Sequence, residues 1–279
     1  MRKRPGQQLS RVVIPLGALL IALFVLLPMY WMLSSSFKTQ YNVGASPPQY
    51  FPDPLSTSSY RAAFSDGFGG FVINSLVVAL CSTALVLALG TLAGYALGRL
   101  PVRGKFPLMV SLQMISVFPQ IAVIAPLYLV MRDIGWLNTY QGIAAPAFLM
   151  SPFAVFFLRQ FFLGISRELE EAALVEGAGR IRIFFQIAIP LSMTAITTLA
   201  VITFIYSWND YLWPLLIGKK ENVRMLTVAL GVFRQQGAQN APDWAGLMAG
   251  TTLAILPTLA LFMALGKRVI NSIGFTGFR

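Results

Sequence analysis

Few side chains in this sequence can do chemistry, and most reaction classes drop out at once. The 279 residues include no histidine and a single cysteine, Cys81. His-based catalytic triads, HExxH zinc sites and an internal disulfide framework are therefore excluded. A phosphate-binding P-loop needs glycine, four residues, then Gly-Lys followed by serine or threonine. The pairs Gly104-Lys105, Gly218-Lys219 and Gly266-Lys267 are followed by Phe106, Lys220 and Arg268, and none has the leading glycine. What remains is ten carboxylates, and four of them, Glu168, Glu170, Glu171 and Glu176, fall in one stretch, 168–191. A second carboxylate, Asp210, stands among aromatic and amide side chains in Trp208-Asn209-Asp210-Tyr211.

The first stretch predicts a short polar helix. Ser166 can cap its N-terminus, and the early glutamates complement the positive end of the helix dipole. Gly177 and Gly179 are expected to end it by taking the left-handed cap conformation. Leu169, Ala172, Ala173 and Glu176 share one face by their i, i+3, i+4, i+7 spacing, and the two alanines allow close approach of another surface. Apolar runs lie on both sides. A polar helix there has no lipid-facing role, so it belongs at a membrane surface, touching something.

Composition sets that membrane context. Hydrophobic residues make up 56% of the chain, charged residues 11%, and the mean hydropathy is +0.69. Soluble domains carry about 25% charge. The net charge of +11 has no basic, aromatic-interleaved patch that would suit nucleic acid. Six apolar spans are expected. The first, 12–33, follows Arg2, Lys3, Arg4 and Arg11; it is long for a signal peptide and lacks Ala-x-Ala-like cleavage residues, so it reads as an uncleaved span. The proline-rich interval 34–70 reads as an ordered external loop with short helical pieces, packed by Tyr50, Phe51, Tyr60 and Phe64. Later spans are expected at about 71–100, 106–131 with a break at Phe118-Pro119-Gln120, 139–162, 183–217 and 245–265. Gly90, Gly94 and Gly98 form a small-residue stripe suited to close helix packing in lipid. The run 183–217 is too long for one straight span, and Pro190 and Pro214 suggest a bent helix with a gate-like extension.

With six spans both termini lie on one side. Fourteen of the 21 lysines and arginines fall on that side, which makes it cytoplasmic by the positive-inside rule. Glu171 is then cytoplasmic as well. The spans themselves hold almost no ionisable groups apart from Asp210, which argues against a carrier driven by an ion gradient.

The run Glu171-Ala172-Ala173, Gly177, Ile187-Ala188-Ile189-Pro190 resembles the EAA motif of binding-protein-dependent ABC importer permeases, with Ile189 where that family has leucine. The string 207–216 resembles a segment of the second permease of carbohydrate importers, the maltose-permease-like group. The fold this implies is an all-α membrane protein of six transmembrane helices. Residues 1–70 would form the N-terminal tail, first span and external loop. Residues 71–279 would form a five-helix core with a cytoplasmic coupling helix at about 167–179. The resemblance further implies that Glu171, Ala172, Ala173, Glu176, Gly177, Ile187 and Pro190 couple to separate ATPase subunits. Trp208, Asn209, Asp210 and Tyr211 are candidates for the substrate path or gate. The implied partners are a homologous permease forming a heterodimer, two ATPase subunits that carry ATP and Mg, and an extracytoplasmic sugar-binding protein. The chain itself would bind no cofactor and catalyse no reaction. The expected role is import of an oligosaccharide, or a related polyol or glycerol phosphate, across the cytoplasmic membrane by alternating access. A secondary carrier and a membrane enzyme are the alternatives. The C-terminal tail, 274–279, could face the ATPase or solvent.

Overall fold

The computed structural model describes residues 5–65, 67–149, 151–233 and 242–274, and every regular element among them is helical. The chain divides into two compact units, one of residues 1–68 and 230–256, the other of residues 69–229 and 257–279. The C-terminal tail lies outside the described residues.

In the first unit α1 (Pro5–Ser36) opens the chain, and its stretch Val13–Ser36 is long and apolar enough to cross a membrane. Its side chains stand outward, Phe24 among them at 79% exposure, which only lipid or another protein surface can solvate. The proline-rich loop that follows holds α2 (Gln40–Val43) and α3 (Ser58–Ser65). Aromatic pairs fasten it, as expected from its composition: Trp31 with Tyr50 and Phe37 with Tyr60, at centroid separations of 6.0 and 5.2 Å. Tyr50, Phe51 and Phe64 nevertheless keep most of their surface exposed. Lys38 is buried at the foot of α1, donating to the Gln49 carbonyl at 2.5 Å and lying 4.2 Å from the Trp31 ring centroid. Loss of water around its ammonium lowers its pKa from the ordinary lysine value.

The second unit begins along α4 (Phe68–Arg99), continues through α5 (Lys105–Val117) and α6 (Gln120–Asp133), and then α7 (Tyr140–Leu149) and α8 (Pro152–Leu163). The polar helix is α9 (Arg167–Val175). After it come α10 (Arg180–Ile183), a π turn (Phe184–Ala188), α11 (Ile189–Leu191) and α12 (Met193–Trp208). Then follow α13 (Leu212–Ile217), a 3-10 turn (Glu221–Val223), α14 (Leu226–Phe233) and α15 (Trp244–Gly274).

Of the six expected spans, α1, α4 and α15 are single helices long enough to cross. The break expected at Phe118-Pro119 separates α5 from α6, and α10–α11 meet α12 at a 75° bend, so two further spans are bent pairs. The expected span 139–162 is instead two short helices, α7 and α8, with Pro152 in the first turn of the second. Proline fits there because its missing N–H would have no intrahelical partner. By length and composition the described helices supply three to five crossings, fewer than the six expected, and α8 is apolar but too short to count among them.

Close packing of α4 on α8 uses the glycine stripe. A Cβ on Gly94 would stand 3.1 Å from both the Arg159 nitrogen and the Val155 oxygen, and one on Gly90 would stand 3.2 Å from the Ala154 Cβ. Around this contact Val86, Tyr95, Leu158, Phe162, Phe184 and Leu199 form a buried core. Gly94→Leu should force the helices apart at a cost of about 1–3 kcal/mol, the usual range for overpacking. A melting temperature several degrees below wild type is expected for the detergent-solubilised protein. Gly17→Leu on α1, where nothing lies within 4 Å, should melt like the wild type. Equal melting of the two variants would show that the glycine contact is not tight.

Candidate functional site: the α9 surface and the membrane cavity

α9 forms where its caps dictate. Ser166 Oγ accepts from the Glu168 N–H at 3.3 Å, as expected of an N-cap, and Glu168 and Glu170 occupy the first turn. At the other end Ala178 N–H donates to the Ala173 carbonyl at 2.9 Å and Gly177 N–H to the Leu174 carbonyl at 3.0 Å. These two bonds are the Schellman pattern, which puts the C′ residue in the left-handed region. Gly177 fills that position with φ of +84°. Gly179 does not share the role: its φ is −70°, and it precedes α10 in extended conformation. The helix therefore ends at Val175 rather than near 179.

Glu171, Ala172 and Glu176 are exposed together with Leu169, and Ala173 is half-buried, so the face predicted to meet a partner is open. Val175 and Ile181 add apolar surface at 89% and 76% exposure, on a segment too charged to lie in lipid. Glu170 turns the other way and is buried against Arg99, whose Nε stands 3.3 Å from Glu170 Oε1. Sequence reasoning counted Arg99 only as a cytoplasmic charge, and three glutamates in four residues gave no means of telling the buried one apart. Ile187 and Pro190 are not on this face. They belong to the π turn and α11, where Pro190 has no N–H for a normal helical bond and Ile189 N–H reaches back five residues to Phe184.

The second site is a cavity of about 540 Å³ between α4, α5, α6, α7, α8, α12 and α13. Its polar lining is Ser116, Ser151, Thr203, Tyr206, Ser207 and Asp210. No lysine or arginine lines it among the described residues. Of the four predicted path residues only Asp210 reaches it. Trp208 is buried and stacks on Phe204 with rings 10° from parallel. Asn209 is exposed and donates to the Ile205 carbonyl, and Tyr211 is also exposed. Nothing in the sequence signalled Thr203, Tyr206 and Ser207, because α12 is apolar nearly all round and ends at Trp208, short of Asp210. Asp210 lies just before α13, whose N-cap is Tyr211.

Gly177 gives a local test of the cap. Gly177→Val places a β-branched side chain at a positive φ and should open the Schellman bonds, costing about 1–2 kcal/mol. Amide exchange of Ala178 should quicken several-fold by mass spectrometry, whereas Gly179→Ala should exchange at the wild-type rate. Unchanged protection in Gly177→Val would remove the cap from the account of this helix.

Residues 88–273 match the family described as binding-protein-dependent transport system inner membrane component. The trehalose/maltose transport system permease protein of Thermococcus litoralis is 27% identical over 95% of both chains. The sulfoquinovosyl glycerol transport system permease protein of Agrobacterium fabrum is 30% identical over 91% of this chain and 89% of its own. The fold is similar to that in the crystal structure of a bacterial ABC transporter involved in the import of the acidic polysaccharide alginate. That likeness has a TM-score of 0.83 at 21% identity and covers 96% of this chain and 99% of the other. The family match covers two thirds of the chain, and the chain belongs to the family of binding-protein-dependent transport system inner membrane components, as a multi-pass permease.

Proposed function

We propose that the chain is one permease of a heterodimeric, ATP-driven importer for an oligosaccharide or related polyol solute, with two ATPase subunits docking on α9. The observation that carries the ATPase contact is the open α9 face. It is a capped, rigid helix with Glu171 and Glu176 beside exposed Leu169, Val175 and Ile181. The substrate class rests on the cavity, whose hydroxyls and single carboxylate suit a polyhydroxyl solute. The relatives' printed substrates, trehalose/maltose and the sulfonate-bearing sulfoquinovosyl glycerol, support sugars as the class, charged ones included. An extracytoplasmic binding protein delivers the solute, which the family description supports. The chain holds no cofactor, and ATP and Mg belong to the ATPase subunits. Both termini and α9 are cytoplasmic in this reading. Docked ATPase subunits close on ATP and move α9, and the cavity changes the side to which it opens.

Two measurements test the ATPase contact and the orientation. Glu171 is proposed to meet a basic residue of the ATPase, and reversing one charge of a close pair costs several kcal/mol. Glu171→Lys should insert normally but lose at least tenfold in transport and binding-protein-stimulated ATPase in proteoliposomes; full transport would leave the contact unsupported. In a Cys81→Ser background, a cysteine at Ser58 should react with an impermeant maleimide in intact cells and one at Val175 should not. Labelling at Val175 from outside would reverse the orientation.

The role of Asp210 is separable. As a hydrogen-bond acceptor for a passing sugar hydroxyl, its replacement in Asp210→Asn should leave melting within a few degrees of wild type and lower uptake several-fold in the whole complex. If Asp210 lines the cavity without touching the solute, Asp210→Asn should transport like the wild type.

A further inference from the structure

Arg99 closes α4 and makes three contacts at once. Its Nε donates to the Phe162 carbonyl at 2.7 Å, its Nη2 donates to the Ile165 carbonyl, and its Nε stands 3.3 Å from Glu170 Oε1. The guanidinium and the Glu170 carboxylate are both almost fully buried, at 4% and 7% exposure. Phe162 and Ile165 lie at the end of α8 and just beyond it. The Phe162 carbonyl already accepts from the Ile165 N–H at 3.2 Å, so Arg99 adds a second donor there and one at Ile165, and its charge neutralises the only buried carboxylate of α9. Ammonium could not do this with the same geometry, since its donors converge on a point rather than spread in a plane.

The Nε proton is committed to Phe162, so Glu170 Oε1 is held by charge and left without a hydrogen bond of its own. A buried pair broken on one side leaves an uncompensated charge, which makes such a contact an all-or-none fastening. Elsewhere on α9 the charged side chains Glu168, Glu171 and Glu176 are exposed. Glu170 is thus the carboxylate that faces inward from the helix and not toward the proposed partner.

We propose that Arg99 is a positioning residue that keys α9 to α4 and α8, so that displacement of α9 is delivered to both helices together. This rests on the reading of α9 as the ATPase-docking helix. α4 and α8 are already held against each other by the glycine stripe, so the two move as one body. Arg99 is what joins α9 to that body by side chains. Without it α9 keeps its caps and its outward face but slips relative to the helices that line the cavity.

The test uses the assembled complex with its ATPase subunits and binding protein in proteoliposomes. Three readouts are needed: co-purification of the ATPase subunits, melting temperature, and the ratio of binding-protein-stimulated to unstimulated ATP hydrolysis. Arg99→Gln and Glu170→Gln should retain the ATPase subunits while the ratio falls about tenfold. Arg99→Lys should fall less, about two- to threefold, because it keeps the charge and can reach one carbonyl. The exchange Arg99→Glu with Glu170→Arg should not recover coupling, since a carboxylate at 99 would face two carbonyls. Should Arg99→Gln unfold, the Lys variant and the Glu170→Gln variant still decide. A wild-type ratio in Arg99→Gln and Glu170→Gln, beside loss in Glu171→Lys, overturns the key but leaves α9 as the docking helix. Full recovery in the exchanged pair overturns the three-way contact and reduces it to a simple ion pair. Wild-type coupling in all variants including Glu171→Lys removes the docking reading itself.

Discussion

Hydrocarbon tolerates no unpaired backbone N–H or carbonyl, and each one left bare costs several kcal/mol. That constraint explains why every described element is a helix and why the interruptions fall where they do. Phe118-Pro119, Pro152 and Pro190 each stand at or next to a helix end or a bend, where proline's missing N–H has least to lose. Three hydroxyls inside the spans bond back to their own helix: Thr91 to the Leu87 carbonyl, Thr198 to Thr194 and Thr251 to Leu247. These bonds let polar side chains stay in an apolar setting without asking for an outside partner.

The same accounting singles out the end of α8. There the Phe162 and Ile165 carbonyls accept from Arg99, whose buried charge stands 3.3 Å from the Glu170 carboxylate. The glycines upstream, at 90 and 94, bring α4 close enough for that reach. Packing and electrostatics are here one arrangement. Moving α4 outward by a side chain's width would withdraw Arg99 from both carbonyls and strand a buried anion.

What could be seen in advance follows from how local each cause is. The start of α9 at Ser166 and its stop at Gly177 were legible, because a cap depends on a handful of neighbouring residues. The close approach at Gly94 was legible too, since small residues in lipid have few other uses. The inward turn of Glu170 was not, because it is decided by Arg99, 71 positions away in sequence. The cavity lining was misjudged in a related way. α12 is apolar nearly all round, so its sequence does not say which side faces the opening, and the aromatic and amide residues 208, 209 and 211 drew attention from Tyr206 and Ser207. Trp208 proved to be core, stacked on Phe204. The division of 139–162 into α7 and α8 was hidden because its apolar character is unbroken, and only Pro152 marked the joint.

The distance between the α9 surface and the cavity is bridged by one continuous stretch of chain. α10, the π turn and α11 lead from the Gly177 cap to Ser192, where the path bends by 75° into α12. α12 has 16 residues, about 24 Å at 1.5 Å per residue, and ends two residues short of Asp210. The π turn arises because Pro190 cannot supply the N–H that an α-helical turn would need, and such turns are softer than the helix they interrupt. The 75° bend adds a second point of compliance. A soft link of this kind transmits a push poorly by itself, since it can absorb the motion by bending. The contact through Arg99 has the opposite property, as it joins α9 to two packed helices that flank the cavity without passing through the bend. Displacement at α9 therefore has a stiff route through Arg99 and a compliant one through the bend at Ser192, and the two meet again at α12, because Ala195 and Leu199 pack with Leu158 and Phe162 of α8 in one buried core.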